Sequence, residues 1–560
     1  MKLKTRLLSL LFFIAGLGTM VAQAPENWFN LDPEADGVYG LSTEKTYKTL
    51  LKEKTSTQVV VAVIDSGVDA EHEDLKDVMW INQDEIPGNG VDDDNNGYVD
   101  DIHGWNFIGG KNGENIHHDT YELARIVAKY RKKFEGKDKS DLSGKDKKKY
   151  DLLKNYEKKL EEKRGEIQQQ AFFVTMINEG IKALKEETGK EKLTEQDLEK
   201  IDLTDEKLAR AVTMLKTIMS QGGASMAEIQ NEIEGAAKYF SVALDMQLNP
   251  DFQPRADIVG DDYSNSYEKG YGNNDVEGPD ASHGTHVAGI IGAARNNELG
   301  IKGVANNVRI MSVRAVPDGD ERDKDVANAI IYAVDNGASV INMSFGKDYS
   351  WDKEAVDKAV KYAMKKDVLL VHAAGNDGQN NDTDSKFPND LFEKRGFLGL
   401  GTKNAKNWLE VGALSWKGGE SLAAEFSNYG KGQVDLFAPG VNVYSTTPDN
   451  NYEAFNGTSM ASPAAAGVAA LLRSYFPELT AVQVKEILMQ SAIPIKDKVT
   501  QPGSGKLVSF SELSVTGGVV NAYKAVELAQ QTKGKKKVRT NKNGGKNGKD
   551  GVKDSQVTYP

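Results

Sequence analysis

The chain contains no cysteine, which excludes a disulfide framework, thiol catalysis and thiolate metal sites together. Hydrophobic residues make up only 39% of its 560 positions, a low share that points to a globular part diluted by polar, helical or disordered material. The length exceeds one compact core, since domains average about 150 residues and α/β folds run longer. Positive charge is in deficit. A formal net charge of −13 and an isoelectric point near 5.3 weigh against a general nucleic-acid binder, which needs a positive surface. Long apolar runs are missing after the first two dozen residues, so no membrane span is expected.

What stands at the start is an export signal. Lys2, Lys4 and Arg6 form a basic stretch, Leu7 to Leu17 an apolar run too short to span a bilayer, and Ala22-Gln23-Ala24 a small-residue cleavage site. Residues 1–24 are therefore expected to be removed, leaving an exported protein that is periplasmic, cell-surface or secreted. Lacking disulfides, it must take its stability from packing and bound ions.

Residues 25–57 read as a short polar lead-in. Val59 to Ile64 then form a continuous β-branched run ended by Asp65-Ser66-Gly67, the pattern of a strand buried on both faces. Similar runs recur at Val308–Val316, Ala338–Met343, Val368–Ala373 and Leu409–Leu414, with helix-like stretches at Asp325–Asn336 and Asp352–Lys365 between them. This alternation predicts a doubly wound, mostly parallel α/β sheet over 58–118 and 251–530. Its active groups should gather at the carboxyl ends of the strands. Between 119 and 250 lysine and glutamate dominate and apolar residues recur at helical spacing, which predicts a large inserted α-helical subdomain broken near Gly136–Ser143, Gly189 and Gly222-Gly223. Within it Ala171, Phe172, Phe173, Met176, Ile177, Ile181 and Leu184 read as a helix-packing face. From 531 to 560 the chain turns rich in lysine, glycine and asparagine, the composition of a basic disordered tail.

Three short stretches each supply one part of an acyl-transfer centre. Asp65 ends the buried strand in Val63-Ile64-Asp65-Ser66-Gly67, where a carboxylate would orient an imidazole. His283 opens His283-Gly284-Thr285-His286-Val287-Ala288-Gly289, whose small residues let a helix pack close to the sheet. Ser459 lies in Gly457-Thr458-Ser459-Met460-Ala461-Ser462-Pro463, near a helix start with its positive end, and Pro463 fits the first turn. Serine is a poor nucleophile without a base in reach and a partner that fixes the base's tautomer. Singly, each residue has an ordinary structural use. Together, in the order Asp, His, Ser, they form a nucleophile, base and orienting acid.

These motifs, IDSGVD, HGTHVAG and GTSMASP, strongly resemble those of the subtilisin-like serine proteases over about 330 residues of the chain. The resemblance implies an exported serine endopeptidase of subtilisin-type fold acting on polypeptides, with Asp65 as orienting acid, His283 as general base and acid, Ser459 as nucleophile and His286 as a structural histidine. Val371-His372-Ala373-Ala374-Gly375-Asn376 resembles the segment that ends in the oxyanion-hole asparagine, which implies that role for Asn376. Val340 to Gly346 resembles the strand that pairs with extended substrate, so Ser344, Phe345, Gly346, Ala374 and Gly375 are the expected substrate-binding residues, and strand addition implies a broad preference. A silent scaffold on the same fold is disfavoured by the full residue set. An α/β-hydrolase would need a Gly-x-Ser-x-Gly elbow and another residue order.

A second site is acidic. Asp92, Asp94, Asn96 and Asp100 occupy positions 1, 3, 5 and 9 of an EF-hand-like loop, with Gly97 at the turn and Tyr98 offering its carbonyl, which predicts structural calcium. His103 stands where the bidentate glutamate belongs, so a further carboxylate, Asp101 or one distant in sequence, must close the site. His117-His118-Asp119 reads as solvated surface rather than a metal cluster. Two features depart from the family. About 34 residues between the cleavage site and Val59 are too few to bury a core, so no independently folding inhibitory prodomain is expected. The helical insertion re-enters just before His283, which predicts that it borders the substrate cleft, restricts access or docks an unknown partner.

Overall fold

Side chains of a strand alternate between faces, so the unbroken run Val59–Ile64 must meet apolar partners on both sides. The computed structural model of the protein describes residues 24–222, 225–394 and 401–536, and it layers the chain on that parity. Val59, Val61 and Val63 join one core with Val287, Ile290 and Ile291. Ala62 and Ile64 join a second core with Val326, Ile330 and Ala359.

The strands are β1 (Val59–Asp65), β2 (Gly104–Asn106), β3 (Val308–Arg314), β4 (Val340–Met343), β5 (Leu369–Ala373), β6 (Trp408–Leu414), β7 (Leu436–Pro439), β8 (Val443–Thr447), β9 (Asn451–Phe455), β10 (Ile493–Pro494), β11 (Lys498–Thr500), β12 (Leu507–Ser509) and β13 (Gly518–Val519). Nine of them form one sheet in the order β10-β13-β7-β6-β5-β4-β1-β3-β2. Every pairing in it is parallel except β10 with β13. In register, Asp65 faces Arg314 and Val61 faces Val340. Helices Ser282–Gly292 and Thr458–Tyr475 cover one face, and Asp323–Asp335 and Lys353–Lys365 the other. This is a doubly wound, mostly parallel α/β fold, and β8 with β9 forms a separate antiparallel hairpin.

Between β2 and the helix Ser282–Gly292 lie the helices Glu122–Phe134, Gly144–Thr188, Glu206–Gly222 and Met226–Val242. The longest has 45 residues, which at about 1.5 Å rise per residue spans roughly 67 Å. It stops at Gly189, whose left-handed backbone (φ 65°) suits a residue without Cβ. Ala171, Val174, Ile177, Ile181 and Leu184 of this helix pack inward. Phe172, Phe173 and Met176 do not: they are exposed, because at 3.6 residues per turn Phe172 and Met176 fall on the face opposite Val174, Ile177 and Ile181 and Phe173 at its border. No helix among the described residues is long and apolar enough to cross a membrane.

The chain ends carry differences from the sequence-based reading. Trp28, Phe29, Leu41 and Leu51, in the segment read as a polar lead-in, are buried in the first core, and Trp28 Nε1 donates to the Asn442 carbonyl at 3.0 Å. The start of the expected tail is also held, since Lys536 N donates to the Glu478 carbonyl at 2.9 Å. Residues 537–560 of that tail, and the expected leader apart from Ala24, lie outside the described residues.

Candidate active site

Strand parity aims Asp65 at the face that carries both candidate catalytic helices, since it continues the series Val61, Val63. His283 stands at the second position of the helix Ser282–Gly292, which reaches the strand end because residue 284 has no side chain. A Cβ on Gly284 would lie 2.0 Å from the Gly67 carbonyl oxygen and 3.1 Å from Asp65 Cβ. The approach brings His283 Nδ1 to 2.6 Å from Asp65 Oδ1, while Ser66 N donates to the same oxygen at 2.8 Å. Burial works to lower the His283 pKa, but the charge of Asp65 and its hydrogen bond outweigh it and raise the value above that of an ordinary histidine. Three residues on, His286 is stacked on Phe455, and its Nε2 is 3.1 Å from the Glu453 carbonyl. Burial pushes its pKa down to about 3, which keeps the ring neutral and makes Nε2–H the donor in that bond.

Ser459 is the second residue of the helix Thr458–Tyr475. Its Oγ donates to the Ser344 carbonyl at 3.1 Å, and Ser344 Oγ donates back to the Ser459 carbonyl at 2.9 Å. Among the described residues no hydrogen bond joins Ser459 to His283. The two residues border adjoining cavities: one of about 350 Å³ is lined by Asp65, His283 and Ser344, and one of about 370 Å³ by Ser344, Asn376 and Ser459. Ser344 lines both.

Asn376 follows β5, at the carboxyl end of the sheet. Its Oδ1 accepts from Thr458 N and from Thr458 Oγ1, both at 2.9 Å. With the oxygen engaged, the amide nitrogen is left to donate. A Cβ on Gly457 would stand 3.4 Å from Ser459 N and 3.6 Å from Asn376 Nδ2, so these two donors face one small space. Phe345, Gly346, Ala374 and Gly375 line the same cavity as Ser459.

Several participants had no sequence signal. Asn342 Nδ2 donates to Ser344 Oγ at 2.9 Å, and its Oδ1 accepts from Ser462 Oγ at 2.6 Å, locking β4 to the Ser459 helix. Arg314 is buried and donates to the Ser66 carbonyl at 2.8 Å, to Asn106 Oδ1 at 3.1 Å and to the Ile116 carbonyl at 2.6 Å. It ties the turn after Asp65 to neighbouring strands. Asp119, read as surface, is fully buried in a two-bond pair with Arg322 at 2.7 and 2.9 Å. His118 pairs with Asp318 at 2.7 Å, and His117 lines the His283 cavity.

At the acidic loop, carboxylate oxygens of Glu85, Asp92 and Asp94 lie within 4.8 Å of one another. Glu85 fell outside the motif and comes in through the fold. Asp100 is not in this cluster, and its oxygens accept from Asn89 N at 3.2 Å and Gly90 N at 2.8 Å. Asn96 Oδ1 accepts from Tyr98 N at 2.8 Å, and the Tyr98 ring packs edge-on to Trp105. Asp101 is taken by Asn82 and Tyr332, at 2.7 and 2.6 Å. The loop thus gathers Asp92 and Asp94 with Glu85 rather than with Asp100.

The family model described as the subtilase family matches residues 56–542. The thermophilic serine proteinase of Bacillus sp. (strain AK1) is 38% identical over 274 residues, 48% of this chain and 59% of that protein. Subtilisin DY of Bacillus licheniformis is 38% identical over 218 residues, 38% of this chain and 72% of that one. A solved structure of proteases from Pseudoalteromonas arctica shares 29% identity and covers 47% of this chain and 80% of its own, with a TM-score of 0.36. The chain spans 59% and 53% of the length of the thermophilic proteinase and of alkaline elastase YaB from Bacillus sp. (strain YaB).

Proposed function

The chain belongs to the subtilase family, and on that premise we propose that it is an exported serine endopeptidase that cleaves polypeptides through an acyl-enzyme on Ser459. The observation that carries the reading is the 2.6 Å bond from His283 Nδ1 to Asp65. It fixes the tautomer with Nε2 unprotonated, as a general base requires. Ser459 Oγ leaves the Ser344 carbonyl, gives its proton to His283 Nε2 and attacks the scissile carbonyl carbon. The developing oxyanion accepts from Ser459 N–H and Asn376 Nδ2. Collapse of the adduct breaks the C–N bond, and His283 returns the proton to the leaving amine. Water then repeats the sequence on the ester and frees Ser459.

Extended substrate runs along Ser344–Gly346 on one side and Ala374–Gly375 on the other, bonding mainly through its backbone. Glu85, Asp92 and Asp94 hold calcium in this reading: three carboxylates within 4.8 Å offer the all-oxygen set a hard cation takes. The ion acts as a cross-link for the loop and takes no part in the chemistry. Export rests on the basic, apolar and small-residue order of residues 1–24.

The test is to express the protein and its Ser459→Ala variant, then to measure casein cleavage and labelling by a fluorophosphonate. The wild type should cleave and be labelled, and the variant should do neither. Equal behaviour of the two would sink the mechanism.

A further inference from the structure

The segment that leaves β4 begins with Ser344, locked to Ser459, and continues through Phe345 and Gly346 along the cavity. Its next three residues are each met by the inserted helices. Lys347, with no exposed side-chain surface, lies 3.1 Å from Glu122 Oε2 of the helix Glu122–Phe134 and 2.8 Å from Asp323 of the sheet domain. Asp348 is 4.0 Å from Lys163 of the helix Gly144–Thr188 and 2.5 Å from Lys386. The Tyr349 ring meets Tyr156 of the same helix edge-on at 5.6 Å, with Lys159 Nζ 5.5 Å from its centre.

The anchorage is buried. Glu122 also pairs with Arg125 at 2.6 Å, and Arg125 donates to the carbonyls of Asp320 and Glu321 at 3.0 and 3.2 Å. A buried charge without its partner is strongly destabilising, so this junction holds one geometry rather than letting the helices swing. Beyond it, Tyr121, Leu123, Lys163 and Leu248 line the same cavity as Asn376 and Ser459. All four come from the 119–250 segment. Strand-addition sites depend on the aim of the strand they extend, and here that aim is set at both ends.

We propose that the inserted helices are a working part of the peptide cleft: they position the substrate segment Ser344–Gly346 by gripping Lys347–Tyr349, and they supply the wall against which one substrate side chain packs. Leu123 and Leu248 are buried behind that wall, so it presents the Tyr121 ring with Lys163 over it at 5.0 Å, among the charged Asp348, Asp377 and Lys386 of the same cavity, and the side chain it receives has an apolar body that lies against the ring. The inference rests on the peptidase reading above, and it makes the insertion a specificity-determining element and not a distant ornament.

The test separates the wall from the nucleophile. A Tyr156→Ala/Lys163→Ala variant loosens the grip at positions on the exposed side of the junction, and Lys163→Trp fills the rim of the cavity. Both are compared with the wild type by steady-state kinetics on a ten-residue peptide series with either a large apolar residue or alanine before the scissile bond. Labelling by a small fluorophosphonate, which needs Ser459 but no extended cleft, runs in parallel with thermal melting. The double variant should raise KM about five- to tenfold, the loss expected from one aromatic contact and one weak ion pair, with kcat and labelling within about twofold. Lys163→Trp should lower the large-to-alanine ratio of kcat/KM. Unchanged KM and an unchanged ratio would overturn the proposal, as would lost labelling at an unchanged melting temperature, which would move the effect onto the nucleophile. A wild type that is itself unlabelled would instead overturn the peptidase reading.

Discussion

Replacing Gly284 by alanine should disable catalysis while leaving the protein folded, and the size of the effect follows from one contact. The new Cβ would stand 2.0 Å from the Gly67 carbonyl oxygen and 3.0 Å from its carbon. An ordinary carbon–oxygen contact is about 3.3 Å, so the helix must retreat by roughly 1.3 Å. Both sides of the contact are backbone, and no rotamer can relieve it. His283, one residue before, moves with the helix, and its 2.6 Å bond to Asp65 stretches beyond the hydrogen-bond range of about 3.2 Å. A misplacement of about 1 Å costs on the order of 10²-fold in rate, and loss of the tautomer-fixing bond raises this toward 10⁴.

Stability should change far less. Overpacking costs about 1–3 kcal/mol, and alanine regains about 1 kcal/mol of helix propensity over glycine, so the net loss is about 0–2 kcal/mol. Gly165 provides the control: it lies in the helix Gly144–Thr188 and an added Cβ there meets nothing within 4 Å. Gly165→Ala should gain about 0.5–1 kcal/mol with unchanged activity. The assay pairs fluorophosphonate labelling rates and kcat/KM on a peptide with denaturant midpoints for both variants. A Gly284→Ala protein labelled at the wild-type rate would refute the reasoning that close approach of this helix sets the Asp65–His283 pair.

Other perturbations give distinct readouts. Because Asp65 raises the His283 pKa and a general base must be unprotonated, the acid limb of kcat/KM should fall above the ordinary histidine value of about 6.5. In Asp65→Asn the limb should shift to lower pH along with the loss in rate, as a pH–rate profile will record. Asn376→Ala should cut kcat by about 10²–10³, the loss known in this family for one oxyanion donor, with KM little changed. Trp28→Ala empties a fully buried site and should cost about 3–5 kcal/mol, read as a lower urea midpoint, whereas a dispensable lead-in would show no change. Chelator should lower the melting temperature of the wild type and leave Asp94→Asn, melted alone, near the chelated value. Equal melting with and without chelator, and no calcium in the purified protein, would exclude the ion.

How far the sequence reaches depends on whether a feature is set locally or across the fold. The long β-branched runs around Val61, Ile341 and Val371 were legible because burial on both faces leaves no room for polar residues. Strands such as β2, β10 and β13, of two or three residues, carry no periodicity at all and exist only because a neighbouring strand offers them hydrogen bonds. Asp65, His283 and Ser459 were legible through their neighbours: Gly284 and Gly457 keep open the space that the geometry needs, and such constraints leave short fixed motifs. Glu85 was not, because it meets Asp92 and Asp94 across a turn and nothing in its own flank marks it. Lys347 and Glu122 show the deeper limit. In a chain with 27% charged residues, nothing marks a lysine after Phe345-Gly346 or a glutamate at a helix start as buried. Their mutual approach, with Asp323 beside Lys347 and Arg125 beside Glu122, makes each buried charge tolerable, and that cluster is a property of the insertion and the sheet together. The residues hardest to read from the chain are thus the ones that join its two architectures, beside the segment that leaves β4.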